Sequence, residues 1–277
     1  MKKLLTLLAL TLVTLTTNAQ STVKDDMNDD GELNITDVTM MIDLILHSTQ
    51  EPSYLTCPDS NHPHLIDLGL PSGTKWACCN VGATSPTSYG NYYAWGETEE
   101  KEDYDLFSYQ FAYRDNNPED GFWEYDHDTG YWHYENLGSS ISGTQYDVAH
   151  VKWGGNWVMP NNSQITELIE NCTIEFVQMY NYGCKFTGAN GGSIFLPAAG
   201  IVDELFEYDG RYLYGYYWSS ETPLSETYYT NKLKMPSEEE PDYSPYANAL
   251  YFAKKERTEI QFQPRILGLP VRPVHSK

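Results

Sequence analysis

Apolar residues recur along this chain at helical spacing in two places. Five of them predict a helix of about ten residues near the N-terminus: Val38, Met41, Ile42, Ile45 and Leu46. A second helix is predicted at 163–172, after the capping candidate Ser163. Its apolar positions are Ile165, Leu168, Ile169 and Cys172.

Elsewhere, short apolar stretches separated by Gly, Pro, Asn and Ser predict strands. Ile66, Leu68 and Leu70 alternate, the chain turns at 71–73, and the pattern resumes near Trp76, which predicts a hairpin. Four later stretches are typical of strands or turns: GGSIFLPAAG (191–200), YGYYWSS (214–220), NALYFAKK (248–255) and RILGLPVRPV (265–274). A few strands around one or two helices, with long loops, predict an α+β fold.

The first 19 residues have the pattern of a secretory signal peptide. Two lysines precede an apolar run from Leu4 to Leu15, and small residues lead to a predicted cut after Ala19. The run is too short and wrongly flanked for a membrane span, and nothing after residue 20 resembles one. No cysteine lies near the predicted cut, so we do not expect a lipoprotein anchor. The alternative is a cytosolic protein with an apolar first helix.

The charge balance narrows the classes of partner. The formal net charge is −22, and removing residues 1–19 leaves 15 basic against 39 acidic residues. Such a chain repels nucleic acid and anionic membranes, whereas it attracts divalent cations. We therefore expect no nucleic-acid partner.

One stretch, DMNDDGELNITD (26–37), has the pattern of a calcium-binding loop. A twelve-residue loop offers oxygens from positions 1, 3, 5, 7, 9 and 12 and needs Gly at position 6 for its sharp turn. Here Gly31 is at position 6 and the apolar Leu33 at position 8. The predicted Ca²⁺ ligands are Asp26, Asn28, Asp30, the carbonyl of Glu32, Asn34 and Asp37. The alternative is a solvated polar turn.

The segment 25–47 resembles one calcium-binding repeat of a type I dockerin, with Asp37 where the EF-hand loop has a bidentate Glu. Dockerins usually carry two packed repeats and bind cohesins on a scaffold protein, whereas this chain has one repeat. The resemblance implies a small one-loop, EF-hand-like module with a cohesin-like partner. The polar, proline-punctuated residues 48–63 that follow are predicted to be a linker.

Residues 64–277 resemble a second family through six ordered stretches. They are DLGLPSGTKWACCNVGA (67–83), YGNYYAWGET (89–98), VKWGGNWVMPNNSQITELIENC (151–172), GGSIFLPAAG, YYWSSE and VRPV. Their order is that of the Fibrobacter succinogenes major paralogous domain, and the later ones are similar to the wider formylglycine-generating-enzyme-like group. The resemblance implies a C-type-lectin-like fold with long loops. Val158 and Asn161 replace the family's usual Arg and Thr.

Five cysteines in an exported chain lead us to expect one or two disulfides and one leftover thiol, for which Cys57 in the linker is the candidate. The absence of a CxxC motif and the adjacency of Cys78 and Cys79 argue against zinc. The second family resemblance implies a Cys79–Cys172 disulfide. The alternative is that all five cysteines are small buried apolar residues.

No catalytic constellation is predicted. Formylglycine-generating enzymes use a cysteine pair near the C-terminus, but no cysteine follows Cys184. Six carboxylates are candidates for glycosidase chemistry: Glu97, Glu99, Asp126, Asp128, Glu204 and Asp209. Their acidic loops favour solvated side chains, and no H-E-x-x-H or serine-elbow motif accompanies the histidines. We therefore expect no enzyme.

The segment 99–146 is acidic and rich in Tyr and Trp, which suits the recognition of a glycan or a surface protein. The candidate ligand-binding residues are Trp123, Tyr125, Tyr131, Trp132, Tyr134, Tyr216 and Trp218. The alternative is that the tyrosines pack against a loop-rich core. The sequence thus predicts a non-catalytic binding protein, secreted or on the surface of a bacterium. Two other roles remain open: an accessory component of a polysaccharide-degrading system, or a structural part of the cell envelope.

Overall fold

The computed structural model describes residues 34–35, 37–39, 54–115, 123–126, 130–177, 182–203, 210–223 and 245–275. The chain divides into two compact units, Met1–Glu51 and Pro52–Lys277. The second unit begins within the predicted linker: Leu55 is buried, and the Tyr54 ring lies 6.2 Å from that of Phe195.

The described part of the larger unit contains short strands and two helices. The strands are β1 (Leu65–Asp67), β2 (Lys75–Ala77), β3 (Ala112–Asp115), β4 (Trp123–Asp126), β5 (Gly130–Tyr134), β6 (Trp157–Val158), β7 (Cys172–Val177), β8 (Gly183–Gly188), β9 (Ser193–Pro197), β10 (Tyr214–Trp218), β11 (Tyr246–Ala253), β12 (Glu259–Pro264) and β13 (Val274–His275). The helices are α1 (Val148–Trp153) and α2 (Asn162–Asn171).

One four-stranded sheet joins distant parts of the sequence in the order β1-β2-β13-β6. The predicted hairpin is confirmed, since β1 pairs with β2 in the register Ile66↔Trp76. The late strand β13 pairs antiparallel with both β2 and β6, and Val274 is the partner of both Trp76 and Val158. This sheet therefore closes only when both ends of the unit are present.

Three antiparallel three-stranded sheets complete the described strands, in the orders β10-β11-β12, β3-β5-β4 and β7-β8-β9. The described structure is thus mixed and mostly β, which confirms an α+β class at that level. The predicted strands at 191–200, 214–220 and 248–255 correspond to β9, β10 and β11. Of the stretch 265–274, only Val274 lies in a strand.

Helix α2 begins one residue before the predicted start, because its cap is Asn161 and not Ser163. The Asn161 side chain accepts from the N–H of Gln164 at 2.8 Å, and the Gln164 side chain accepts from the N–H of Asn161 at 2.9 Å. This reciprocal pair satisfies two backbone donors that the helix leaves free. Ile165 and Leu168 are buried, as their spacing predicts.

The described core of the larger unit contains large aromatic residues and two buried arginines. Trp76, Trp95 and Trp218 are fully buried. Indole N–H groups need partners when buried, and Trp218 Nε1 donates to the Tyr93 carbonyl at 2.7 Å, while Trp95 Nε1 donates to that of Ser219 at 2.9 Å. Arg265 and Arg272 are also fully buried.

Candidate functional site

The hairpin register brings a histidine and a cysteine together just beyond β1 and β2. Leu65 pairs with Ala77, so the next pair outward is His64 and Cys78. The Cys78 N–H donates to the His64 carbonyl at 3.1 Å, and the His64 N–H points to Cys78 Sγ at 3.1 Å. The backbone thus fixes the Cys78 sulfur beside residue 64.

Two imidazoles and a second thiol surround that sulfur. Cys78 Sγ lies 3.4 Å from His62 Nδ1 and 3.5 Å from His64 Nδ1. One ligand atom from each of Cys57, His62, His64 and Cys78 falls within 4.8 Å of the others. We call these four residues the Cys/His cluster. Cys78 is buried and the other three are half-buried.

A carboxylate orients one of the imidazoles. His64 Nε2 lies 3.0 Å from Asp59 Oδ1, which also accepts from the Asn61 N–H at 2.7 Å. The Nδ1 atom on the opposite side of the ring faces Cys78 Sγ. Hydrogen bonds to Cys78 and Asp59 raise the pKa of His64, although burial opposes them.

The donors around Cys78 favour a single negative sulfur. The hydrogen bond shared with the Cys79 thiol is the largest cause that lowers the pKa of Cys78, and the His64 N–H adds to it, while burial opposes both. The same thiol–thiol hydrogen bond raises the pKa of Cys79. Burial, followed by the proximity of Cys78, raises the pKa of Cys57 to about 12. A thiolate is the form of cysteine that binds a metal or attacks an electrophile.

Two chemistries fit this cluster. Two cysteines and two histidines form a ligand set that suits a four-coordinate soft or borderline cation such as Zn²⁺. Alternatively, Cys78, His64 and Asp59 have the order of a nucleophile, a base and an orienting carboxylate.

No family model, curated protein or solved structure matches this chain. Both family resemblances therefore remain predictions. In the part of the chain that the structure describes, no helix has the length and apolar character needed to cross a membrane.

The sequence interpretation missed the Cys/His cluster. The predicted linker at 48–63 includes Cys57, and the adjacency of Cys78 and Cys79 argues against zinc. The predicted turn at 71–73 would pair residue 64 with residue 80, whereas the observed register, Leu65↔Ala77, places His64 opposite Cys78. What the sequence could not show is the fold of 57–62 back onto that pair.

The Cys79–Cys172 disulfide is not formed in the structure, where all five cysteines are free. Cys79 Sγ lies 3.7 Å from both Cys78 Sγ and His62 Nδ1. Cys172 packs against a different core cluster, which includes Ile165 and Leu168. The two cysteines are thus held by different neighbours.

Two of the seven aromatic ligand-binding candidates are core residues. Trp218 is fully buried, and Tyr134 is 4% exposed with its ring 6.1 Å from that of Tyr109. These two predictions are corrected, because the side chains complete the core and leave no face for a ligand. Tyr216 is half-buried; its ring lies 4.8 Å from that of Tyr251, and its hydroxyl donates to Gln261 at 3.0 Å.

The other four aromatic candidates lie in the β3-β5-β4 sheet. For Trp123, Tyr125, Tyr131 and Trp132 the structure describes the backbone only. Trp123 pairs with His133, which pairs with Tyr113, and Tyr125 pairs with Tyr131. Trp132 instead pairs with Arg114 and Glu124, on the opposite face.

The calcium-loop prediction falls mostly outside the described residues. Asp26, Asn28, Asp30 and Glu32 all lie there. Asn34 and Asp37 are described: Asp37 is buried, and its Oδ2 accepts from the Asn34 N–H at 2.8 Å. Residues 35 and 37–39 are helical. Asn34 thus immediately precedes a helix that begins near the end of the predicted loop.

Two of the glycosidase carboxylate candidates form ion pairs. Glu97 is buried and lies 2.9 Å from Lys101, so the prediction of a solvated side chain is wrong for this residue. Glu99 is exposed and lies 2.6 Å from Lys152.

Proposed function

We propose that the chain is an exported, non-catalytic binding protein that recognises a glycan or a surface protein. In this proposal a C-type-lectin-like domain carries the binding surface, and the N-terminal repeat is stabilised by Ca²⁺. The main support is one face of the β3-β5-β4 sheet, where aromatic positions line up in register.

The two faces of this sheet differ. On one face, Ala112 pairs with the buried Tyr134, and both pack into the same core cluster. The adjacent residue Tyr113 is 49% exposed, as expected for the alternate face of a strand. That face also carries the register positions of Trp123, Tyr125, Tyr131 and His133. We call these five residues the aromatic face.

A row of aromatic positions on one face of a sheet suits a flat, partly apolar ligand. Strand residues two apart lie about 7 Å from each other, so aromatic positions on one face can contact successive parts of one extended ligand. Tyr and Trp combine a large apolar surface with a polar group and lose little conformational entropy on binding. The acidic composition disfavours a polyanionic ligand and leaves neutral glycans and proteins.

The proposal is tested with the chain from Gln20 onward on a glycan array and in pull-downs from envelope fractions. We expect a retained ligand whose binding is lost in the triple variant Trp123→Ala, Tyr125→Ala, Tyr131→Ala. The control is Phe107→Ala, which removes a 63% exposed aromatic residue outside the sheet. If no ligand is retained, or if the triple variant binds as well as the wild-type protein, the proposal is wrong.

The second candidate function is an accessory component of a polysaccharide-degrading system, with a cohesin-like partner for the calcium repeat. It is favoured by the resemblance of 25–47 to a dockerin repeat. Calcium-dependent capture of a cohesin would support this role. Turnover of a polysaccharide, abolished by changing one carboxylate pair such as Glu97 and Glu99 to Gln, would instead show that the chain is an enzyme.

A further inference from the structure

We propose that Cys57, His62, His64 and Cys78 bind one Zn²⁺ ion that fastens residues 57–64 to the end of the β1–β2 hairpin. The site is structural, and it does not depend on the aromatic face or on the calcium loop. Its ligands come from an irregular segment and from the first residue after β2.

The separations in the cluster match the edges of a zinc tetrahedron. Zinc–nitrogen and zinc–sulfur bonds of about 2.0 and 2.3 Å place ligand atoms roughly 3.3–3.8 Å apart. The distances from Cys78 Sγ to His62 Nδ1 and His64 Nδ1 are 3.4 and 3.5 Å. No separation within the set exceeds 4.8 Å, so small side-chain shifts complete the tetrahedron.

The surroundings of His64 are those of a metal ligand. Imidazoles that bind zinc through one nitrogen usually donate from the other to a carboxylate, which fixes the ring. His64 Nδ1 faces the sulfur, and its Nε2 lies 3.0 Å from Asp59. Asp59 is held in turn by the Asn61 N–H. Asp59 is thus a positioning residue outside the ligand set.

The ligand chemistry selects zinc over calcium. Calcium prefers oxygen ligands, whereas two sulfurs and two imidazoles suit Zn²⁺. Cys79 is outside the set: its side chain is buried, and its sulfur lies 3.6 Å from the Ala83 carbonyl. Because a coordinated thiol loses its proton to solvent, Cys57 and Cys78 would supply two thiolates, which balance the charge of one Zn²⁺ ion.

A bound ion explains how an irregular segment holds a fixed position. Residues 57–64 lie outside helices and strands, so few backbone hydrogen bonds order them. A metal that joins three of these residues to Cys78 supplies that order, since binding energy in a structural zinc site is also folding energy. The nucleophile interpretation leaves Cys57 and His62 without a role.

The test uses the reduced chain from Gln20 onward in excess Ca²⁺, which occupies the acidic loop. We expect one equivalent of Zn²⁺ by elemental analysis. With Co²⁺ in its place, we expect visible bands of tetrahedral cobalt and near-ultraviolet thiolate charge transfer. Cys57→Ser and His62→Asn should each abolish these bands. Asp59→Asn should weaken Zn²⁺ binding about 10- to 100-fold.

The matched control is Cys172→Ser, which removes a half-buried thiol elsewhere and should bind Zn²⁺ as the wild-type protein does. Because a ligand variant can fail to fold, the Co²⁺ spectrum of the wild-type protein is decisive by itself. Absence of a tetrahedral spectrum would overturn the proposal. So would unchanged binding by Cys57→Ser, or a Cys57–Cys78 disulfide in peptide maps of the exported protein.

Discussion

Arg272 Nε donates to Asn80 Oδ1 at 2.7 Å, which joins two residues 192 positions apart in the centre of the larger unit. The same guanidinium donates to the carbonyls of Ala77 and Cys78 at 3.3 and 3.2 Å, and to that of Phe195 at 2.9 Å. One buried side chain therefore connects the segment after β2, strand β9 and the approach to β13.

Replacing Arg272 should destabilise the larger unit strongly. Arg272→Met leaves four buried acceptors unpaired and should lower the free energy of unfolding by about 3–5 kcal/mol. Arg272→Lys keeps the charge but loses the planar guanidinium with its several N–H donors, so it should lower the free energy of unfolding by about 2–3 kcal/mol. The measurement is urea unfolding followed by tryptophan fluorescence. The exposed Arg257→Met should stay within about 0.5 kcal/mol of the wild-type protein. A similarly small change for Arg272→Met would contradict the prediction.

Gly188 is required by a close backbone approach. A Cβ at this position would lie 1.8 Å from the Leu68 carbonyl oxygen, so Gly188→Ala must displace the backbone near β1. We expect a loss of about 3 kcal/mol or more. The matched control is Gly191→Ala. A Cβ added at Gly191 has no atom within 4 Å, so this variant has only the strain of an alanine at φ +84°. That change should cost about 1–2 kcal/mol. Equal melting temperatures for the two variants would refute this interpretation.

Asp147 should give the stability a measurable pH dependence. Burial raises the pKa of Asp147 above its usual 3.8, although hydrogen bonds from the backbone N–H groups of Gly143 and Met159 oppose the shift. The folded state therefore binds this proton more tightly than the unfolded state does, and stability falls as pH rises from 3.8 through the raised pKa. Above that pKa the contribution is constant.

Asp147→Asn should remove this pH dependence. It should also lower the free energy of unfolding by about 1–3 kcal/mol at neutral pH, because the NH2 group of Asn cannot accept from the backbone N–H groups that the carboxylate binds. Denaturation from about pH 3.5 to 7 should show the wild-type advantage growing as pH falls. The control is Glu102→Gln, which removes an exposed carboxylate and shows how far the loss of one negative charge alone changes the pH dependence of stability. A wild-type advantage that does not change with pH would mean that the pKa of Asp147 is not raised.

Calcium should order residues 25–47. Calorimetry on the chain from Gln20 onward should give the heat of one Ca²⁺ site, which Asp30→Ala removes and the exposed Asp103→Ala does not. Hydrogen exchange gives a second readout, because EDTA should deprotect these residues. Protection that is equal with EDTA and with saturating Ca²⁺ would exclude the site.

Elements with a local cause could be predicted from the sequence. The hairpin follows from alternation around a Pro-Ser-Gly turn, and α2 follows from the spacing of Ile165 and Leu168. The cap was misplaced because both Asn161 and Ser163 are favourable caps. The reciprocal hydrogen bonds with Gln164 favour Asn161.

Features that depend on distant residues could not be predicted. Trp218 and Tyr134 are aromatic residues in aromatic segments, and only the packing of other segments shows that they are core residues. The Cys/His cluster likewise needs a fold of residues 57–62 that no periodicity encodes. The pairing of His64 with Cys78 also depends on the hairpin register, which differs by two residues from that of a turn at 71–73.

The place of β13 between β2 and β6 restricts the order in which this sheet can form. Strands β2 and β6 both pair with β13, so this sheet cannot close before residues 274–275 have been synthesised. The same topology means that proteolytic cleavage ahead of residue 274 would remove Val274, the cross-strand partner that Trp76 and Val158 share.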